Sequence, residues 1–300
     1  MTFADTVPLD HTGAAELIRQ NYAYMLSTRP EKYEGWINNI ERFKAYARIG
    51  SWAAPLGLRY FKDAPARVDM IEAIYIALRL VDDIVDGDSP LPRGWDSVAS
   101  YLNNLIAFVR RPSVPLNEVE RLLAYAFGLG RALNMDLRRP VMDIIGSLRF
   151  DAMRRRQRKL YIPRQVEFDK HFYLLDIRGT IGGCLMVMRE TRVTYRDLEL
   201  LGKAVRMQYD IRDLVEDMQA RLCNISVEDV WRFHIRDVRD LASPRIHEWR
   251  LAKAEEGLGL LREFKIKKRR LPLHLFTRKV LDYAYERPAE EFLRGVLSSN

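Results

Sequence analysis

The sequence contains almost nothing that would cross-link or anchor the chain. Among its 300 residues there are two cysteines, Cys184 and Cys223, and both stand in apolar surroundings. Two thiols cannot build the disulfide framework of a small secreted protein, so we expect a reduced protein in the cytoplasm. No apolar run approaches the roughly 20 residues of a membrane-spanning helix. The N-terminus also lacks the basic and apolar regions of a signal peptide.

Sequence signals for β-structure are missing as well. No segment alternates β-branched and polar residues, the pattern of a half-buried strand. Apolar residues instead recur every three or four positions, most clearly over residues 67–86 and 198–222. This period is typical of amphipathic helices. The connections between the helical segments are short, and none has the composition of a linker. We therefore predict one large all-α domain.

The chain has a net charge of +8, and its basic residues are unevenly spread. Two dense runs stand out, "RRRQRK" at 154–159 and "KIKKRR" at 265–270. The simplest interpretation is a solvated basic surface. Alternatives are binding of an anionic substrate, or attraction to anionic lipid at about 1 kcal/mol per basic residue. The sequence has no zinc finger, RNP signature or helix-turn-helix, so we do not expect nucleic acid as a partner.

The first dense group of carboxylates lies in "LRLVDDIVDGDS", residues 78–89. Asp82 and Asp86 are four residues apart on a predicted helix and share one face, and Asp83 lies about 100° away. Apolar residues precede them on the same face, so the carboxylates would repel each other and lose hydration. Mg²⁺ would relieve both effects, because it binds carboxylates together with water and phosphate oxygens. The alternative is a solvated helix end.

A second acidic stretch, "QYDIRDLVEDMQAR", covers residues 208–221. It places Asp210, Asp213 and Asp217 at positions i, i+3 and i+7, on one stripe of a helix. Two carboxylate rows that face each other would need cations, and an anionic ligand such as a diphosphate, between them. Arginines close in sequence could bind the diphosphate oxygens. They are Arg79, Arg212 and Arg221.

Both acidic stretches resemble motifs of one family. "ALRLVDDIVD" is similar to the "FCRxxDDIVD" motif of the squalene and phytoene synthases, which belong to the trans-isoprenoid diphosphate synthases. "RDLVEDMQAR" is similar to their "RDVGEDxxxGR" motif. Between the two motifs, this chain also resembles the family at Asp151, Tyr161, Tyr173, Gly179, Thr180 and Gly182. The resemblance is best over residues 40–240.

This resemblance implies a single all-α domain over residues 1–300, a helical bundle around a central cavity. It implies two or three Mg²⁺ ions that join the acidic motifs to an allylic diphosphate of the farnesyl or geranylgeranyl class. The metal ligands would be Asp82, Asp86, Asp210, Asp213 and Asp217. The catalytic carboxylates would be Asp82, Asp83, Asp86, Asp213 and Asp217. The substrate-binding residues would be Tyr75, Arg79, Tyr173, Thr180, Tyr209, Arg212 and Arg221. Candidates for the cavity wall are Trp52, Tyr75, Met186 and Tyr209.

Metal charge would stabilise the departing diphosphate, and an acceptor would attack the allylic cation that remains. The sequence departs from the family where a second prenyl diphosphate is managed. Arg206 stands in place of a glutamine, and Tyr209 in place of an asparagine that helps to hold metal. Either Asp210 or Gln208 could replace that asparagine. The family's "Y-L-P" after the second motif is absent, and the match beyond residue 240 is weak.

These features favour a prenyltransferase that carries out head-to-head condensation of the squalene or phytoene type. The first alternative is transfer of the prenyl group to a non-isoprenoid, aromatic small molecule, which would explain the departures near the second motif. The second alternative is a terpene cyclase. A non-enzymatic protein of the same fold would be expected to lose its paired carboxylates, and this chain keeps both stretches. No nicotinamide-binding glycine motif is present, and the resemblance leaves NADPH use open. Because prenyl compounds partition into lipid, "KIKKRR" is the candidate for peripheral membrane contact.

Overall fold

The computed structural model describes residues 10–30 and 63–298 and, between them, residues 33–34, 37–38, 40–41 and 44–45. Throughout these residues the regular structure is helical, and they include no strand. The predicted all-α fold class is therefore confirmed. Contacts divide the chain into two compact units, Met1–Ile145 and Gly146–Asn300. Each unit is described by itself.

The first unit is organised around one long helix that ends in the first acidic stretch. The helices that begin in this unit are α1 (His11–Thr28), α2 (Ala64–Asp86), α3 (Val98–Arg110), α4 (Glu118–Ala132) and α5 (Arg138–Arg155). Helix α2 packs mainly against α4. It ends at Gly87, whose φ of 78° is left-handed and favours glycine. This stop places the Asp82–Asp86 stripe in the last turn of α2.

In the second unit, the second acidic stretch lies where one helix ends and the next begins. The unit contains α6 (Gln165–Phe168), α7 (Ile177–Val187), α8 (Glu199–Arg212), α9 (Leu214–Gln219), α10 (Val227–Arg232), α11 (Pro244–Lys268), α12 (Leu275–Leu281) and α13 (Arg287–Ser298). A π-helical segment, Asp169–Asp176, joins α6 to α7. Helix α8 packs against α11, and α11 packs against α13.

Two local features determine how closely α8 packs and where it ends. A Cβ at Gly202 would lie 2.7 Å from the side chain of Ile177, so glycine lets α8 approach α7 closely. The predicted continuous helix over 198–222 is interrupted at Asp213, which has φ −92° and ψ 5°. The interruption is local, because the N–H of Asp217 still donates to the carbonyl of Asp213 at 2.8 Å. The second acidic stretch thus spans two short helices.

The described residues include no helix that is both long enough and apolar enough to cross a membrane. The two cysteines, Cys184 and Cys223, are free thiols. Burial raises the pKa of each thiol to about 11, so both are neutral at physiological pH.

Candidate functional site

The first acidic stretch presents its carboxylates in two directions. Asp82 and Asp86 are half-buried on the same face of α2 as Tyr75 and Arg79, whereas Asp83 is only 4% exposed. The sequence therefore predicted the shared face of Asp82 and Asp86 and the separate direction of Asp83. The deeply buried carboxylate is Asp83, while the Asp82–Asp86 pair lies on a partly open stripe.

Arg79 and Tyr33 hold this group of carboxylates together. Nη1 of Arg79 lies 2.8 Å from Oδ2 of Asp82, and Nη2 lies 4.0 Å from Oδ1 of Asp83. The guanidinium also lies over the ring of Tyr33, 5.5 Å from its centroid. The Tyr33 hydroxyl donates to Oδ1 of Asp83 at 2.6 Å. Asp83 thus supports Arg79 through the tyrosine, a link that nothing in the sequence pattern indicated.

Asp88, the fourth aspartate of the stretch, has a different position. It follows Gly87, and its carboxylate pairs with both terminal nitrogens of the exposed Arg29. It therefore lies beyond the stripe formed by Asp82 and Asp86, in the loop after the helix.

In the second unit, Arg206 is surrounded by carboxylates. Its Nε donates to Oδ1 of Asp210 at 2.9 Å, and its Nη1 lies 3.8 Å from Oδ2 of Asp176. The guanidinium lies over the ring of Phe172, 4.2 Å from its centroid. Burial alone would lower the pKa of Arg206, but the carboxylates, with Asp210 and Asp176 foremost, raise it above its usual value. A permanent cation therefore lies beside Asp210.

Arg154 forms a second buried cation in the same unit. It belongs to the run "RRRQRK", yet its side chain is 1% exposed, so this member of the run is not solvated. Its guanidinium donates to Asp151, to the carbonyl of Cys223 at 2.8 Å and to Oδ1 of Asn224 at 3.1 Å. Nδ2 of Asn224 in turn donates to Oδ2 of Asp217 at 2.7 Å. Sequence analysis missed Arg154 and Asn224, although the i, i+3 spacing of Asp151 and Arg154 was a usable signal.

Two carboxylates of the second stretch resist ionisation, the buried Asp210 and the half-buried Asp217. Burial raises the pKa of Asp217 to about 7; Arg206 opposes this rise, and the neighbouring charges of Asp210 and Asp213 add to it. Burial likewise raises the pKa of Asp210 to about 6, against the opposing effect of Arg206. Near neutral pH Asp217 is therefore partly protonated, and a bound cation would displace its proton.

The two arginines predicted to clamp a diphosphate beside the second stretch both have partners in the protein. Nε and Nη2 of Arg212 donate to the two carboxylate oxygens of Asp213 at 2.6 and 2.7 Å. The guanidinium of Arg212 also covers the ring of Tyr209, 4.6 Å from its centroid. Nη2 of Arg221 donates to the backbone carbonyls of residues 157 and 158, at 2.8 and 2.9 Å.

The other predicted binding residues are spread over the second unit. The exposed Thr180 donates its hydroxyl to the carbonyl of Asp176 at 2.8 Å. Tyr173 lines a cavity of about 10 Å³, together with Asp210, Asn224, Trp249 and Lys253 among others. That volume holds about one water molecule, so this cavity alone does not accommodate a prenyl chain. Trp52, proposed for a cavity wall, lies outside the described residues.

The two stretches differ in how well they suit Mg²⁺. Asp82 and Asp86 offer two carboxylates on a half-open face, which suits an ion that also keeps water and phosphate ligands. Protein groups already bind carboxylates in both stretches: Arg79 pairs with Asp82 in the first, and Arg206, Arg212 and Asn224 bind Asp210, Asp213 and Asp217 in the second. In the second stretch burial also raises the pKa of Asp210 and Asp217, so a cation there competes with protons. Within the described ranges, no group of three or more His, Cys, Asp or Glu side chains is placed to hold a metal ion. The first stretch is therefore the better candidate.

No family model matches the chain, and no curated protein or solved structure matches it. The structure brings Arg79 together with Asp82 and Asp83 in the first unit. In the second unit it brings Arg206 to Asp210, and Asn224 to Asp217. Function therefore has to be inferred from the chemistry of these two groups.

Proposed function

We propose that the chain is a Mg²⁺-dependent prenyltransferase that ionises an allylic prenyl diphosphate and couples the resulting cation to an acceptor. The favoured reaction is a head-to-head condensation of the squalene or phytoene type. The observation that supports it best is a half-buried stripe along α2, formed in order by Ile71, Tyr75, Arg79, Asp82 and Asp86. The first half of this stripe is apolar and aromatic and the second half is charged. This order suits a ligand that has a prenyl chain and a diphosphate.

The residues of this stripe have separable roles. The guanidinium of Arg79 is suited to bind two diphosphate oxygens at once, and Tyr33 and Asp83 hold its position. Asp82 and Asp86 would hold Mg²⁺, which supplies positive charge for the departing diphosphate. Burial raises the pKa of Tyr75 and keeps its phenol neutral. Its ring face would then stabilise a nearby allylic cation and help to exclude water.

We propose that the second acidic stretch also binds Mg²⁺. For Asp213 and Asp217 to bind metal, Arg212 and Asn224 must release their hydrogen bonds to these carboxylates. Asp210 is the least available ligand, because Arg206 already balances its charge. We therefore assign the ionising role first to Asp82 and Asp86, and a supporting role to Asp213 and Asp217.

Analysis of the reaction products distinguishes the three proposed acceptors of the prenyl cation. The purified full chain is incubated with Mg²⁺ and farnesyl or geranylgeranyl diphosphate, with and without NADPH, and the products are extracted. Head-to-head condensation yields a C30 or C40 product. A C15 or C20 hydrocarbon would indicate the cyclase alternative. If diphosphate is released only after an aromatic acceptor is added, the aromatic prenyltransferase is supported. Absence of diphosphate release under every condition would contradict prenyl transfer.

The titration of Asp217 makes stability depend on pH. Its pKa in the folded chain is about 7, above its usual 3.8, so between these values the folded chain binds more protons than the unfolded one. The contribution of Asp217 to stability therefore falls as the pH rises through this window. The unfolding free energy of Asp217→Asn, relative to that of the parent chain, should therefore rise by about 4 kcal/mol between pH 4 and pH 8. Urea denaturation without Mg²⁺ at both pH values measures this gain. A gain of zero would contradict the buried, partly protonated carboxylate.

A further inference from the structure

The fold divides the basic run at 265–270 into two faces. Lys265 and Lys268 pair with Glu290 and Glu286, so their charges are neutralised within the second unit. Lys267 is half-buried and donates to the carbonyl of Arg196 at 3.4 Å, whereas the other basic residues of this region are exposed. Arg262 lies one turn before Ile266 on α11, and Arg269 and Arg270 follow directly after the helix ends. All four side chains are exposed.

A second exposed apolar side chain follows a short, well-held connection. Leu275 is 74% exposed at the start of α12, and Ile266 on α11 is 61% exposed. The connection between them is fixed by Arg278, whose guanidinium donates to the carbonyls of Lys268, Leu271 and Leu273. Because one side chain binds three successive parts of this turn, both apolar residues are presented from an ordered backbone.

We call the exposed basic and apolar side chains at the end of α11 and on α12 the basic apolar surface; they are Arg262, Ile266, Arg269, Arg270, Leu275 and Lys279. All of its members are exposed. Across the described ranges none of its four basic residues has a carboxylate within ion-pair distance, in contrast to Lys265 and Lys268. Among the described residues, this segment thus carries two exposed apolar side chains and four unpaired basic ones, beside one exposed carboxylate, Glu263.

We propose that the basic apolar surface docks the chain onto an anionic lipid bilayer. Ile266 and Leu275 would enter the boundary between headgroups and acyl chains, while the arginines bind lipid phosphates. A single-stranded nucleic acid would instead favour aromatic side chains on which bases stack, and the apolar members of this surface are aliphatic.

A second group of exposed apolar and basic side chains lies at Trp231, which is 76% exposed and stands beside the exposed Arg232. Arg239, in the same region, is paired with Asp237. Val166 is 66% exposed and stands between Gln165 and Glu167. The region at 262–279 differs from these sites because it carries two exposed aliphatic side chains, Ile266 and Leu275, and four exposed basic residues.

Vesicle sedimentation of the full chain tests this docking. We expect binding to phosphatidylcholine vesicles that contain phosphatidylglycerol, little binding to phosphatidylcholine alone, and loss of binding as salt rises. Each basic residue is expected to contribute about fivefold to the partition coefficient, so Arg269→Glu with Arg270→Glu should weaken binding by at least about 20-fold. Ile266→Glu with Leu275→Glu should weaken it by about tenfold or more.

Matched variants control for exposure and charge. Val166→Glu replaces an equally exposed apolar residue, and Arg232→Glu with Arg236→Glu replaces two exposed arginines outside the surface. These controls should keep at least half of the parent's vesicle binding. Binding that is insensitive to salt, or equal losses in surface and control variants, would overturn the proposal. So would binding to single-stranded RNA without binding to vesicles. The vesicle assay contains no prenyl substrate, so its result does not depend on whether the chain transfers prenyl groups.

Discussion

Replacing Asp82 with asparagine is expected to lower kcat for diphosphate release at least about 1,000-fold, which corresponds to about 4 kcal/mol of transition-state stabilisation. Asp82 lies in the last turn of α2, half-buried and paired with Arg79 at 2.8 Å. The variant keeps the shape and loses the charge that would hold Mg²⁺. Asp86→Asn should show a comparable loss, since Asp86 shares the same face. Release of inorganic diphosphate at saturating substrate measures both variants.

Asp88→Asn is the matched control for this loss. Asp88 belongs to the same stretch, but it lies in the loop beyond the helix end and pairs with Arg29. We expect its kcat to stay within about threefold of the parent, because the charge lies away from the stripe. If Asp82→Asn and Asp86→Asn kept full turnover, neither residue would be a metal ligand in the reaction. Circular dichroism should be unchanged in all three variants.

Arg154→Met is expected to destabilise the chain by about 3–5 kcal/mol, the typical cost of removing one partner from a buried ion pair. The guanidinium is 1% exposed and binds Asp151, the carbonyl of Cys223 and Asn224. Its removal leaves these acceptors in a low-dielectric environment without a donor. It also removes the cation from the ring of Phe172, 5.1 Å from the centroid. The change in unfolding free energy is measured by urea denaturation at pH 7.

Arg156 provides a control from the same basic run. Its side chain is exposed, so Arg156→Met should change the unfolding free energy by no more than about 0.5 kcal/mol. Similar small effects for the two variants would show that Arg154 is not a structural cation. Arg154→Lys should recover only part of the loss, because an ammonium group cannot reproduce the planar set of donors that Asp151 and Asn224 receive.

The helices were predictable because their signal is local. The apolar period over residues 67–86 predicted most of α2, and the spacing of Asp82, Asp83 and Asp86 predicted which of them share a face. The interruption at Asp213 was not predicted, because the sequence around it continues the helical period. There the backbone turns without any glycine or proline to mark the turn.

The sequence pattern did not predict contacts between residues that are far apart in the chain. Arg154 stands among exposed basic residues in sequence, and its burial depends on Asn224, 70 residues away. Tyr33 reaches Asp83 across 50 residues. The sequence marked Arg206 only as a departure from the family motif, and its place as a half-buried cation depends on Asp176 and Phe172 from the preceding segment. In each case the partner belongs to another segment of the chain, and local spacing does not indicate it.

The most direct test of the proposed function is Mg²⁺-dependent release of inorganic diphosphate from farnesyl or geranylgeranyl diphosphate. We expect the parent chain to release diphosphate with Mg²⁺ and to stop when EDTA is added. The Asp82→Asn variant should stay near background while Asp88→Asn behaves as the parent. Release that continues in EDTA, or that is equal in the Asp82→Asn variant and the parent, would contradict a metal-assisted ionisation at the end of α2.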